Sequence, residues 1–514
     1  MFETSGRWTA RVGAALLAAV AVPTFSAGVA TPSEAFGPRV SAQQTTAFAS
    51  LVVNPPRRSN STADSIRYWN QVAIDASGLD HTPVEPGPVE PGSRVFGEQL
   101  GPVRSVRAIA IVQIAVFDAV NALTGNTYRS HTGLARETRP ASVDAAIARA
   151  ALDTLVQMFP SQARQFNSLY NAEIARITDN QDRKNLGIAI GQRSATRILG
   201  MRTNDGSQFA EPRLGVDWFT SNNPGRWRQD PISQVPIALG ARWSRVRPFA
   251  IQSASQFRTP PFPALNSAAY TTAFNEVKRL GGDGEVTPTE RSADQTIAGI
   301  YWAYDGTPSL CAPPRLYNQI ATTVSLNETR PIELARLYGL LNVAMMDAGL
   351  SSWESKYFWD IWRPVTGVRE ADSGTGPSRL GDGNPATIGD ASFSPLGAPA
   401  SNLNGPNFTP PFPAYPSGHA TFGGALFQTL RNYFGTDNRP FTFVSDEFNG
   451  ITRDNEGNVR PLVSRSFNSF TQAEEENGQS RIYLGIHWSF DKTAGIAQGR
   501  AVANYVFANR FQRN

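Results

Sequence analysis

One cysteine, four lysines, four histidines and five methionines are all that 514 residues hold of these side chains. Cys311 has no second cysteine to pair with, so the protein must be stable without an internal disulfide even if it is exported. No basic tract of nucleic-acid type occurs, and a formal net charge of +4 over this length gives a polyanionic partner little footing. After the N-terminus no segment reaches about 18 uninterrupted apolar residues, so no later membrane span is expected. With 40% apolar and 18% charged residues, disorder and coiled coil are excluded for the bulk of the chain.

What is present begins with an export pattern. Arg7 and Arg11 precede an apolar run from Val12 to Val22, and small residues follow around Ala27–Ala30. These features predict a signal peptide over residues 1–30 and a secreted or periplasmic protein, with no membrane attachment after cleavage. A short uncleaved anchor is the alternative.

Helical periodicity dominates the rest. Val103–Leu123, Ser142–Phe159, Gln162–Ile177 and Asp182–Leu199 read as helices, with Ser142 as an N-cap and Gly200 as a stop. Together they predict a first helical bundle over 31–210. Residues 211–265, rich in proline and carrying Trp218, Trp227 and Trp243, have no sustained period and read as a long connection. A second bundle is expected over 266–514, from Ser267–Leu280, Pro288–Tyr304, Arg315–Ser325, Ile332–Ala348, Phe467–Tyr483 and a last helix from Asp491 to Phe511. The only strand candidates are Phe441–Val444 and Val459–Val463, a hairpin turning near Asn455-Glu456-Gly457. The predicted fold class is therefore all-α: two bundles of four-helix type, long loops and at most a small β-hairpin. The acidic run Glu474–Glu476 reads as a solvated helix face.

Three stretches draw on the scarce residues: Lys356-x6-Arg363-Pro364, then Pro416-Ser417-Gly418-His419, then Ser480-Arg481-x5-His487-x3-Asp491. Lys356 and Arg363 are seven apart, so on one helix through Trp353–Trp362 their heads leave the same side, with Pro364 as the stop. That helix is apolar nearly all round, which suits two surface cations badly; a buried pair needs an anion. Pro416–His419 reads as a turn entering a helix, whose first N–H groups form an oxyanion cradle. Taken alone it is also an ordinary N-cap. Arg481 and His487, six apart, diverge on a continuous helix, so Gly485 predicts a break that lets both turn inward. Asp491 is placed to hydrogen-bond an imidazole nitrogen of His487, to cap the last helix, or both.

This order and spacing resembles the vanadium-dependent haloperoxidases, within the superfamily they share with class A acid phosphatases and type 2 phosphatidic acid phosphatases. The resemblance is closest in the C-terminal half, and the helix around Ala108–Leu123 is typical of bacterial members. It implies a fold of two four-helix bundles and a vanadate (V5+) cofactor. His487 would be bonded to the metal; Lys356, Arg363, Arg481, Ser417 and the Gly418 amide would hold the oxygens. His419 would be the acid–base residue, with Asp305 as its hydrogen-bonding carboxylate. The implied activity is oxidation of chloride or bromide by hydrogen peroxide to hypohalous acid, with a small organic acceptor as a further partner. Trp353 and Phe412 fall where the chloroperoxidase branch has its halide-pocket aromatics; bromoperoxidases tend to carry histidine at the second. The low counts of lysine, methionine and cysteine, all attacked by hypohalous acid, fit an oxidant producer, and a genome favouring arginine explains much of the lysine deficit. Two readings compete: an exported acid phosphatase with a phosphohistidine at His487, and a non-catalytic oxyanion-binding protein.

Overall fold

The computed structural model describes residues 61–84 and 93–514. The expected signal peptide lies outside the described residues.

Thirteen α-helices and one two-stranded sheet are present among them. The first group comprises α1 (Thr62–Asp80), α2 (Pro102–Leu123), α3 (Val143–Met158), α4 (Ala163–Arg176) and α5 (Gln181–Arg202). Ser142 caps α3 as expected, its Oγ accepting from the Ala145 N–H. Gly200 does not stop α5, which runs on to Arg202; an exposed glycine costs a helix only about 1 kcal/mol. Helix α1 was not foreseen, because its mixed polar surface hides the period; the signal present was Ser61, whose Oγ accepts from the Asp64 N–H. Helix α2 is long and apolar enough to span a bilayer, but it is the buried centre of this group, packed on α1, α3, α5 and α9 (Pro331–Trp359).

Beyond the irregular segment at 203–267 come α6 (Ala268–Leu280), α7 (Ala293–Tyr301) and α8 (Pro313–Val324). Helix α9 follows, then α10 (Pro364–Arg369), α11 (Gly418–Phe434), α12 (Phe470–Tyr483) and α13 (Ser489–Asn509). Strands β1 (Phe441–Asn449) and β2 (Leu462–Phe467) pair antiparallel, so the hairpin is real but longer than its sequence indicated. Helix α9 is a shared spine. One face packs on α2 and the other on α11 and α13, and one buried apolar cluster runs through both groups. The acidic run is a solvated face only at Glu475, which is exposed; Glu474 is fully buried and bridges Arg431 and Arg500, while Glu476 pairs with Arg465. Two arginines and an internal position outweigh the solvation a carboxylate gives up.

The crossing of α11 and α13 sets up the site. A Cβ on Gly499 would lie 2.1 Å from the Thr421 carbonyl oxygen, and one on Gly424 would lie 2.6 Å from that of Ile496. Glycines at both positions let the backbones touch, so the N-terminus of α11 meets the first turn of α13, and the Ser417 N–H donates to the Asp491 carbonyl at 3.0 Å. Gly499→Ala is expected to cost about 1–3 kcal/mol, read as a lower urea midpoint at unchanged slope. An unchanged midpoint would show that the crossing is not close.

Candidate active site

The four segments that build the site each end or begin a helix. Trp353 and Lys356 sit in the last turns of α9, which stops at Trp359 because Asp360 adopts a left-handed conformation (φ 55°). Arg363 is therefore not on that helix. It is the extended N-cap of α10, and Pro364 starts α10 at its first position instead of ending α9. The pair converges by a chain reversal, not by sharing a helical face. Ser417 caps α11, and Gly418 and His419 form its first turn. Arg481 lies in the last turn of α12; Gly485 (φ 72°) breaks the chain before His487, and Asp491 occupies the first turn of α13. Here the expected break is present, and a Cβ at Gly485 would meet the Gly281 carbonyl oxygen at 2.4 Å.

His487 is held from both sides. Its Nδ1 lies 2.8 Å from Asp491 Oδ2, which also accepts the Trp488 N–H at 3.0 Å. A proton on Nδ1 leaves Nε2 with its lone pair on the pocket side, 3.0 Å from Arg363 Nη1. Arg363 also donates from Nε to the Phe412 carbonyl at 2.8 Å and from Nη1 to that of Ile486 at 2.9 Å. Arg481 gives Nη2 to both oxygens of Asp305, at 2.7 and 3.0 Å. Lys356 Nζ contacts the carbonyls of Pro413, Ala414 and Pro416. An ammonium has three hydrogens, so Lys356 faces the pocket as charge, not as a free donor.

His419 differs from expectation. Its Nε2 lies 2.6 Å from the Ala303 carbonyl oxygen, and Asp305 stands off at 3.9 Å, occupied by Arg481. A carbonyl only accepts, so Nε2 carries the proton and Nδ1 is the basic nitrogen. No local signal could have named a backbone carbonyl as that partner.

Three buried guanidinium nitrogens, Arg363 Nη2 with Arg481 Nε and Nη1, have no hydrogen-bond partner among the described residues. Each such group costs about 1–3 kcal/mol when left unpaired. Burial, and then the neighbouring Arg363 and Arg481, hold the Lys356 ammonium well below its ordinary value. Arg363 is brought down to about 9 by burial in the first place. Both imidazoles are depressed: His487 by burial and then Arg363 and Lys356, His419 by burial and then Arg481. Burial raises Asp491 to about 7. A small, multiply charged oxyanion meets all of these conditions: it takes the unpaired N–H groups and turns the mutual repulsion of the cations into attraction. The donor set fits vanadate.

A cavity of about 40 Å³ opens onto this cluster, and its walls include Trp353, Phe408, Pro411 and Phe412 as well as Gly418, His419 and His487. The Trp353 and Phe412 rings lie 5.0 Å apart, and Lys356 Nζ is 5.1 Å from the centre of the Phe412 ring. Gly101, Pro102 and Leu239 close the far side. The sequence did not reveal these three, since nothing local marks them. The segment carrying Leu239 fixes Trp353: its Nε1 donates to the Leu239 carbonyl at 3.1 Å, and a Cβ on Gly240 would lie 2.1 Å from the indole.

A helical protein that gathers lysine, arginines and two histidines around one anion-sized centre belongs to the oxyanion-binding bundle enzymes. Within that class the chain belongs to the vanadium-dependent haloperoxidase family. Vanadium chloroperoxidase of Curvularia inaequalis is 31% identical over 508 residues, covering 84% of this chain and 79% of that protein. The family model for the VCPO second helical-bundle domain matches residues 336–513. The fold is similar to that of a bacterial vanadium-dependent iodoperoxidase (TM-score 0.67, 23% identity, 90% of this chain and 100% of that one). It is also similar to a holo-type bacterial vanadium-dependent chloroperoxidase (TM-score 0.57, 18% identity, 82% of this chain and 94% of that one).

Proposed function

We propose that this protein holds orthovanadate in the cluster around His487 and oxidises chloride as well as the softer halides with hydrogen peroxide, releasing hypohalous acid. The observation that carries the reading is the set of three buried guanidinium nitrogens, unpartnered among the described residues, beside His487 Nε2, whose lone pair meets Arg363 Nη1 at 3.0 Å. Arg363 Nη2 and Arg481 Nε and Nη1 would bond the anion's oxygens, joined by the Ser417 hydroxyl and the Gly418 N–H at the start of α11. Lys356 would contribute charge from beneath the 413–416 loop. When bound, vanadate supplies Lewis-acid activation of peroxide without a change of oxidation state. His419 Nδ1 would take a proton from incoming peroxide and return one to the departing oxygen. Asp491 would keep the His487 proton on Nδ1.

Chloride competence is supported by the Trp353–Phe412 wall, which offers a dehydrating surface flanked by Lys356 and Arg363. From the run Val12–Val22 we also propose export, which sequencing the N-terminus of the protein recovered outside the cytoplasm would test.

The deciding experiment compares purified protein with and without orthovanadate, in dye halogenation with chloride, bromide and iodide and in hydrolysis of a phosphate ester. Vanadate-dependent halogenation that includes chloride is expected. Turnover confined to iodide or bromide would overturn the chloride assignment. Ester hydrolysis without vanadate, and no halogenation, would make the protein a phosphatase using His487 as nucleophile.

A further inference from the structure

Strand β1 does more than pair with β2. Its register shifts between Val444 and Asn449, leaving residues 445–448 out of the ladder. Irregularities of this kind re-aim side chains next to functional sites. Here they aim at the turn that follows α7. The Tyr301 hydroxyl donates to the Phe443 carbonyl at 2.5 Å, and Ser445 Oγ donates to the Tyr301 carbonyl at 2.6 Å. The Asp446 N–H donates to Tyr304 Oη at 2.6 Å, and the Tyr304 N–H donates to Glu447 Oε1 at 3.2 Å. Glu447 is fully buried, and its other oxygen accepts from Ser401 Oγ at 2.5 Å and from Arg460 Nη1 at 2.6 Å.

The clamped turn is strained and carries two groups of the site. Tyr304 has φ 44°, a left-handed conformation that a bulky residue holds only under constraint. On one side of it Ala303 offers its carbonyl to His419 Nε2; on the other, Asp305 takes Arg481 Nη2. Two contacts from β1 thus hold Tyr301 at the end of α7 and two hold Tyr304 itself, fixing a turn whose geometry sets which nitrogen of His419 is protonated and where Arg481 points.

We infer that Glu447, locked by Arg460 and Ser401 and assisted by Ser445, is a positioning residue for the acid–base histidine. It acts through the 303–305 turn and touches no reactant. The inference rests on the reading of His419 as the acid–base group.

Only four histidines are present, so ring-nitrogen NMR of protein labelled with 15N-histidine is tractable. In the full-length, vanadate-loaded protein His419 should show an Nε2-protonated ring and His487 an Nδ1-protonated one. Glu447→Ala should erase the fixed tautomer of His419, leave that of His487, and lower halide turnover about 10–100-fold, with little change in the KM for halide. Glu447→Gln, which keeps an acceptor for the Tyr304 N–H, should recover part of both. Should Glu447→Ala fail to fold, Ser445→Ala carries the same test, with the same signs and a smaller effect. A folded variant that keeps both the His419 signature and full turnover overturns the inference. Wild-type protein that shows the His419 tautomer but never halogenates would instead overturn the functional reading.

Discussion

Replacing His487 with alanine is expected to weaken orthovanadate binding by on the order of 100-fold or more and to abolish halide oxidation, with the fold intact. The magnitude follows from position. Disturbing the outer partners of a metal ligand typically costs 10–100-fold, and loss of the ligand itself should cost no less. The substitution removes the lone pair at Nε2 and the Nδ1 partner of Asp491, whose Oδ1 already lacks a partner among the described residues. It leaves Arg363, Arg481 and Lys356 in place, so weak electrostatic capture of vanadate should survive. Titration calorimetry separates these outcomes: unchanged affinity would remove His487 from the metal, and loss of the helical signal would make the result a folding defect.

Replacing His419 with alanine should give the opposite split. Orthovanadate affinity is expected to stay within a few-fold, because His419 bonds the Ala303 carbonyl and none of the cations. Turnover should fall about 10²–10⁴-fold, the usual contribution of a positioned general acid–base group. The side chain lines the cavity beside His487 and presents Nδ1 as its basic nitrogen. If affinity collapsed together with turnover, His419 would be an anion ligand, not a proton carrier.

The parts of this site legible in the sequence were those governed by local chain chemistry. Gly485 between Arg481 and His487 signalled a break because a continuous helix would have separated them, and the break is there. Ser417 and Gly418 read as a helix start and are one. Arg363 was misplaced because nothing in its neighbourhood marks Asp360 as a left-handed terminus, a choice made by packing around the reversal. The partners of His419 and Glu474 were misjudged for a related reason: a backbone carbonyl and arginines distant in sequence come near only when the chain folds. Helix α1 was hidden by its polar surface, and Leu239 and Gly240 by the irregular segment that carries them onto Trp353. Local signals located the segments that meet at the site; the walls and braces depended on contacts across the whole chain.

X-ray absorption at the vanadium edge, on protein loaded with one equivalent of orthovanadate, tests the central claim most directly. The account predicts an imidazole nitrogen in the vanadium coordination sphere of the wild type that disappears in His487→Ala. An all-oxygen sphere in the wild type, or a nitrogen that persists in the variant, would contradict it.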